Sequence, residues 1–377
     1  MAPRWLAAAL LCVSPLAGRA EITAADLGRL LFFDTSLSLE RTQSCATCHN
    51  PARAFSDARD NGVGGAVSLG DDGRSLGERN APALTYVALT PPFSIDADGQ
   101  PVGGFFLDGH AATLEEQVAE PFVNPVEMRM PDHAAVVARV QEKPLYEISL
   151  QRLFGEEVFE ETDTAYRAVG QSLTAFAETD ELATFDSRYD RHLRGEYVLT
   201  EEEALGRDLF FSQLTNCSLC HALTPNATTD EREPFTNYAF HNIGVPANSR
   251  LHGLSGAEAR RADPGLLGNP AVTGTEHAGK FKVPTLRNVA VTAPYMHNGV
   301  FQELTTAIAF YNHYLVSSQA SMTNPETGQP WAPAEVEGTI DLALLREGQP
   351  LSDERVALLE TFLRTLTDAR YEHLLGD

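Results

Sequence analysis

The chain has 377 residues, 28 Lys+Arg against 52 Asp+Glu, and a formal net charge of −24. Hydrophobic content of 43% and charged content of 21% are those of a chain with a core, which excludes a disordered protein. The acidic balance argues for no nucleic acid and no membrane surface as partner, and the length suggests two domains.

Residues 1–20 read as a secretory signal peptide: Arg4, a short apolar run from Trp5 to Pro15, then the small-x-small site Gly18-Arg19-Ala20. That run is too short to span a bilayer, and no later stretch offers some 18 consecutive apolar residues. Cys12 follows Leu11, which is not small, so it does not mark a lipoprotein. An exported, periplasmic protein is expected, keeping four cysteines and one tryptophan, Trp331.

Ala24 to Phe33 forms one amphipathic helix. The first cysteine motif follows, then Gly- and Pro-rich stretches at 61–74 and 99–109, of the kind that wrap a cofactor or bind a partner. Pro131 suits the first position of a helix through about Gln141. Thr164 to Glu178 has Tyr166, Val169, Leu173 and Phe176 at helical spacing. The charge-rich stretch 177–208 holds the expected domain boundary, near 190. Thr200 and Glu203 make a capping box for the next helix. Ser352 can cap a final helix with Val356, Leu359, Leu363 and Leu366 on its apolar face.

Cys45-Ala46-Thr47-Cys48-His49 and Cys217-Ser218-Leu219-Cys220-His221 are both C-x-x-C-H. That spacing serves c-type haem: two thiols add to two vinyl groups, and the adjacent His reaches the iron. Composition alone gives about 0.002 such motifs in this chain. A thioredoxin-like pair needs a βαβ setting, and a zinc site would leave both histidines unexplained. Leu27-Gly28-Arg29-Leu30-Leu31-Phe32-Phe33 precedes the first motif, and Leu205-Gly206-Arg207-Asp208-Leu209-Phe210-Phe211 the second. The repetition implies two copies of one unit. The expected fold is all-α: two cytochrome c-like domains with long loops, over 21–190 and 191–377, each carrying one covalent haem c.

His49 and His221 each take one iron face. An electron-transfer haem wants Met or His on the other, whereas a peroxide-activating haem wants that face open. Residues 50–109 contain neither His nor Met, so nothing local closes the first haem.

Further motifs carry a family resemblance. Phe281-Lys282-Val283-Pro284-Thr285-Leu286-Arg287-Asn288-Val289 and Thr292-Ala293-Pro294-Tyr295-Met296-His297-Asn298-Gly299 resemble the bacterial di-haem cytochrome c peroxidase family. So do Gly77-Glu78-Arg79-Asn80-Ala81-Pro82 and Asn124-Pro125-Val126-Glu127-Met128. His241 to Pro246, Ala309 to Asn312, Asn324 to Gly328 and Leu366 to Glu372 are similar to its methylamine-utilization maturase branch. Where the family's peroxidases place an axial methionine, this chain has Tyr311, as that branch does; Tyr314 and Met296 are the alternatives. A phenolate favours Fe(III) and higher valence more than a thioether does.

The resemblance implies a distal pocket of Gln117, Pro121 and Glu127, with Glu127 as acid–base. A solvated surface carboxylate is the alternative for Glu127. It also implies one Ca²⁺ held by the Asn80 side chain and the carbonyls of Thr292 and Pro294; otherwise Asn80 caps a turn. Leu107 and Thr215 stand where tryptophans are expected, and His110 where arginine is frequent. Three activities are expected in order. The first is maturation of a precursor methylamine dehydrogenase by oxidising its tryptophans to tryptophan tryptophylquinone, with peroxide or O₂ plus electrons. The second is a hydrogen peroxide-reducing peroxidase fed by a small cytochrome or copper protein. The third is a non-enzymatic electron-transfer cytochrome.

Overall fold

The computed structural model describes residues 21–223, 233–252, 262–315 and 322–376. The expected signal peptide lies outside the described residues. Among them no helix is long and apolar enough to cross a membrane.

The sequence repeat is a structural repeat. Thr23 and Asp26 close a capping box that starts the Ala24–Phe32 helix, and Thr200 and Glu203 do the same for Glu201–Phe210. Each helix crosses a longer one at its glycine. A Cβ on Gly28 would lie 1.8 Å from Ser172 O of the Thr162–Ala177 helix. One on Gly206 would lie 2.0 Å from Leu358 O of the Asp353–Arg364 helix. Only glycine permits backbones this close. Phe32 then meets Phe176 at 5.2 Å, and Phe210 meets Phe362 at 5.2 Å. Tilted rings at that separation suit the aromatic quadrupole.

Two main cores result. One runs through buried Leu27, Leu31, Phe55, Phe122, Val169 and Leu182. The other holds Tyr189, Phe210, Phe235, Leu359, Phe362 and Leu366. The fully buried Arg287 grips Asp190 through two 2.9 Å hydrogen bonds and lies over Tyr86 and Phe185 at 4.8 and 4.6 Å. Tyr86 donates to Asp368, which also accepts from Asn288 at 3.0 Å. These buried polar groups tie the halves together.

The structure is mostly helical, as expected, with a few very short strands. Three two-stranded antiparallel ribbons pair Ser94–Ile95 with Pro101–Val102, Phe240–His241 with Phe281–Lys282, and Thr323–Asn324 with Gln329–Pro330. The Pro131 expectation shifts. The helix is His133–Gln141 and its N-cap is Asp132, which accepts from Ala135 N at 2.8 Å. A carboxylate that satisfies a first-turn N–H outweighs proline's preset φ. The helix expected from Thr164 starts at Thr162, and Leu366 is fully buried just beyond the end of the final helix.

Candidate functional site

Both C-x-x-C-H motifs form single-turn helices, Cys45–Cys48 and Cys217–Cys220, that end where the histidine bends away. His49 N donates to Cys45 O at 2.8 Å, and His221 N to Cys217 O at 3.0 Å. His49 Nδ1 lies 3.2 Å from Phe55 O, and His221 Nδ1 lies 3.2 Å from Phe235 O. Carbonyls only accept, so both Nδ1 atoms carry the proton and both Nε2 atoms keep a free lone pair. The two accepting phenylalanines share a left-handed backbone, with φ of 55° and 54°. Burial lowers the affinity of both rings for a second proton, taking His221 to about 4.

All four cysteines in the described residues are unpaired. Burial pushes the Cys45 thiol up to about 12 and the Cys48 thiol up to about 11. Among the described residues, no cluster of three His, Cys, Asp or Glu is placed to hold a metal ion.

A cavity of about 930 Å³ connects the two motifs and is lined by all four cysteines and both histidines. That is the upper end for one ligand-sized pocket. Lys282 reaches it as a buried ammonium that donates to the Gly104 carbonyl, and burial lowers it to about 8. Free thiols, two oriented imidazoles and an ammonium with no paired carboxylate among the described residues fit two haem c groups with acidic propionates.

Near the first motif, where Glu127 acts on Cys45 and Cys48, the cavity wall comes from the Leu114–Val123 helix and the turn after it. Gln117 and Pro121 lie on the helix and Glu127 on the turn, and all three line the cavity. Asn124 shapes that turn: its side chain accepts from Val126 N at 3.0 Å and its carbonyl from Glu127 N at 3.1 Å. Burial first, and then the like charge of Glu120, push the Glu127 carboxyl up to about 7. Among the described residues no side chain hydrogen-bonds it. Met128 and Met130 are buried in the first core.

Near the second motif the cavity wall comes from the Leu304–Asn312 helix. Tyr311 lines the cavity, in the field of Cys220 and Cys217, and burial pushes its phenol up. Tyr314 does not line it and donates to Ile243 O at 2.9 Å. Met296 does line it, and Met322 is exposed. Trp331 packs beside Phe310 at 5.2 Å, one residue from Tyr311.

Asn80, Thr292 and Pro294 line the same cavity. Asn80 N donates to His297 O at 2.8 Å and Asn80 Nδ2 to Ala66 O at 3.2 Å. Leu107 O accepts from Lys282 N at 2.8 Å, and Thr215 Oγ1 donates to Leu209 O at 2.6 Å. Sequence reasoning gave no role to His241 or Arg79, which also line the cavity. His241 pairs with Asp341 at 2.8 Å, and Arg79 bridges Asp108 and Asp263, each at 2.7 Å. Their signal in the sequence was a polar residue inside a family motif, which does not by itself name a partner.

A family model described as di-haem cytochrome c peroxidase matches residues 23–198. Methylamine utilization protein MauG of Paracoccus denitrificans is 48% identical, over 98% of this chain and 97% of that protein. Cytochrome c peroxidase Ccp of Escherichia coli is 29% identical, over 78% of this chain and 54% of that one. The crystal structure of the diheme peroxidase BthA from Burkholderia thailandensis superposes with a TM-score of 0.80 at 33% identity, covering 94% of this chain and 88% of that one. The chain therefore belongs to the di-haem cytochrome c peroxidase family and is an oxidoreductase, and that family implies two haem c groups.

Proposed function

We propose that the protein is a periplasmic maturase that oxidises tryptophans of a precursor methylamine dehydrogenase to tryptophan tryptophylquinone, using peroxide or O₂ plus electrons. The observation that carries the reading is Tyr311, placed on the cavity wall beside the second motif where a peroxidase of the family would present methionine. Similarity to Paracoccus MauG along 98% of the chain supports it.

The two haem c groups supply the redox chemistry: reaction with the oxidant at the first and storage of oxidising equivalents at both. Cys45 and Cys48 attach the first and Cys217 and Cys220 the second, with His49 and His221 as iron ligands. Tyr311 would hold the iron of haem two from its other side, where an anionic oxygen would favour ferric and higher valence. Nothing from residues 50–109 closes haem one. Glu127 takes the proton from one peroxide oxygen and delivers it to the other, so that water can leave. Gln117 and Pro121 confine the peroxide beside it. One Ca²⁺ would be held by the Asn80 side-chain oxygen and the carbonyls of Thr292 and Pro294, a set of hard oxygens that suits calcium. A folded protein substrate cannot enter the cavity, so its electrons travel through the polypeptide.

The test mixes the di-haem protein with precursor methylamine dehydrogenase and peroxide and follows quinone absorbance. Quinone growth supports the maturase. No quinone, with rapid oxidation of a reduced small cytochrome or copper protein, transfers the assignment to a peroxidase. Leu107 and Thr215 favour that second reading, because neither carries an electron hole as tryptophan does.

A further inference from the structure

His110 lines the cavity that holds both haem motifs. Its ring stacks on Phe106 at 4.4 Å and 6°. Nδ1 is 2.6 Å from Asp108 Oδ1, and Nε2 is 3.0 Å from Glu120 Oε2. Ionised carboxylates only accept, so both ring nitrogens must donate, and only the imidazolium carries two N–H groups. Charged groups surround it on two sides. Asp108 also binds Arg79 at 2.7 Å, Arg79 binds Asp263, and Lys282 lies in the field of Asp108. On the other side Glu120 faces Glu127. Glu116 is turned to the N–H groups of Ala112 and Thr113.

We propose that His110 is a positioning residue: as a cation it ties Asp108, in the span between the haem motifs, to Glu120 on the distal wall. It thereby fixes Phe106 and screens Glu127 from the charge of Glu120. The link is direct, since Asp108, Glu120 and Glu127 all line the one cavity. The two carboxylates, Asp108 first and then Glu120, hold the ring protonated up to about 9. Arginine, frequent at this place in the family, keeps a cation and several donors but does not titrate. Histidine makes the same clamp releasable.

This inference rests on Glu127 as the acid–base, and the experiment separates the two. The rate of the di-haem protein with peroxide is followed against pH. In the native protein it rises with a midpoint of about 7 as Glu127 deprotonates, and falls above about 9 as the clamp loses an N–H. His110→Gln leaves Glu120 unscreened, so the rising limb moves up by about half a pH unit and the fall disappears. Glu120→Gln removes the like charge and moves that limb down by a similar amount; the double variant returns near the native midpoint. His110→Arg keeps the native rise and abolishes the fall. If His110→Gln and Glu120→Gln leave the rising limb in place, or move it in one direction, the proposal is overturned. Glu120 is partly exposed, so its variant reports even where His110→Gln does not fold. If Glu127→Gln in the otherwise native protein keeps the rising limb, the acid–base reading itself is wrong.

Discussion

The two histidine sites are built alike on one side and differently on the other. Behind His49 stand Gly28, Phe32 and Phe55; behind His221 stand Gly206, Phe210 and Phe235, with matching ring contacts and matching carbonyl acceptors. In front of them the repeat ends. The cavity also takes in Gln117, Pro121 and Glu127 from a proline-containing helix and its following turn, and Tyr311 from the Leu304–Asn312 helix, two elements with no counterpart of each other. The repeated unit fixes how a haem is attached, and elements outside the repeat fix what the haem can do. A buried acid near one motif and a buried phenol near the other are the difference on which the proposed division between oxidant activation and charge storage rests.

The hardest blow to that division is Glu127→Gln, which keeps the shape and removes the proton carrier. The rate with peroxide should fall by about 10²-fold, and its dependence on pH around 7 should vanish. The sign follows from burial: the carboxyl is held protonated below about 7, so the native rate drops as pH falls through that value. Stopped-flow mixing across pH 5 to 9 measures both.

Tyr311→Phe attacks the other half. If Tyr311 ligates haem two, removal of the hydroxyl should convert a low-spin ferric signal to high-spin while the first haem's spectrum stays unchanged. Electron paramagnetic resonance reads the change. An unaltered low-spin signal would hand the ligand role to Met296. Tyr311→Met should instead keep a low-spin haem and raise its reduction potential, because thioether favours ferrous iron.

How much of this could be read beforehand depends on the reach of each interaction. The motif helices, the Thr200–Glu203 box and the Ser352 cap are local in sequence and were legible. The repeat was visible as letters, but its reason was not: Gly28 meets Ser172 and Gly206 meets Leu358, contacts more than 140 residues apart. Pro131 misled because two residues compete to start one helix and the better hydrogen-bonding one wins. Short ribbons such as Phe240–His241 with Phe281–Lys282 have two residues per strand, too few to show any period. Tyr311 over Tyr314 was settled only by family resemblance; in space the two separate, one facing the cavity and one bound to Ile243. The His110 clamp joins residues of opposite charge across a turn, and sequence spacing does not announce such a partner.

Gly28→Ala and Gly206→Ala test the shared frame rather than the differing fronts. Each added methyl must push two helix backbones apart, at a cost of about 1–3 kcal/mol or more. Both variants should lower the melting temperature by several degrees. The haem next to the altered glycine should be perturbed first, so Gly28→Ala broadens the spectrum of haem one and Gly206→Ala that of haem two. Calorimetry with visible absorbance at each haem separates them. Equal perturbation of both haems by either variant would mean that the halves do not behave as separate units.

The smallest effect concerns what joins the halves. Asn80 comes from the first half, Thr292 and Pro294 from the second, so one Ca²⁺ would cross-link them. A ligand bound only to the folded state stabilises by RT ln(1 + [L]/Kd), about 2.7 kcal/mol at a hundredfold excess over Kd. Chelation should therefore lower the melting temperature by a few degrees, and added Ca²⁺ should restore it. Mg²⁺ should not, because it demands a tighter octahedral shell and gives up its water reluctantly. Asn80→Ala removes the oxygen and also the 3.2 Å bond to Ala66, whereas Asn80→Asp keeps an oxygen and loses only the amide donor. If the cation is what matters, the aspartate variant stays calcium-responsive and the alanine variant does not. If both respond alike to chelator, Asn80 merely closes a turn, and the buried Arg287–Asp190 and Tyr86–Asp368 contacts hold the halves together without a metal.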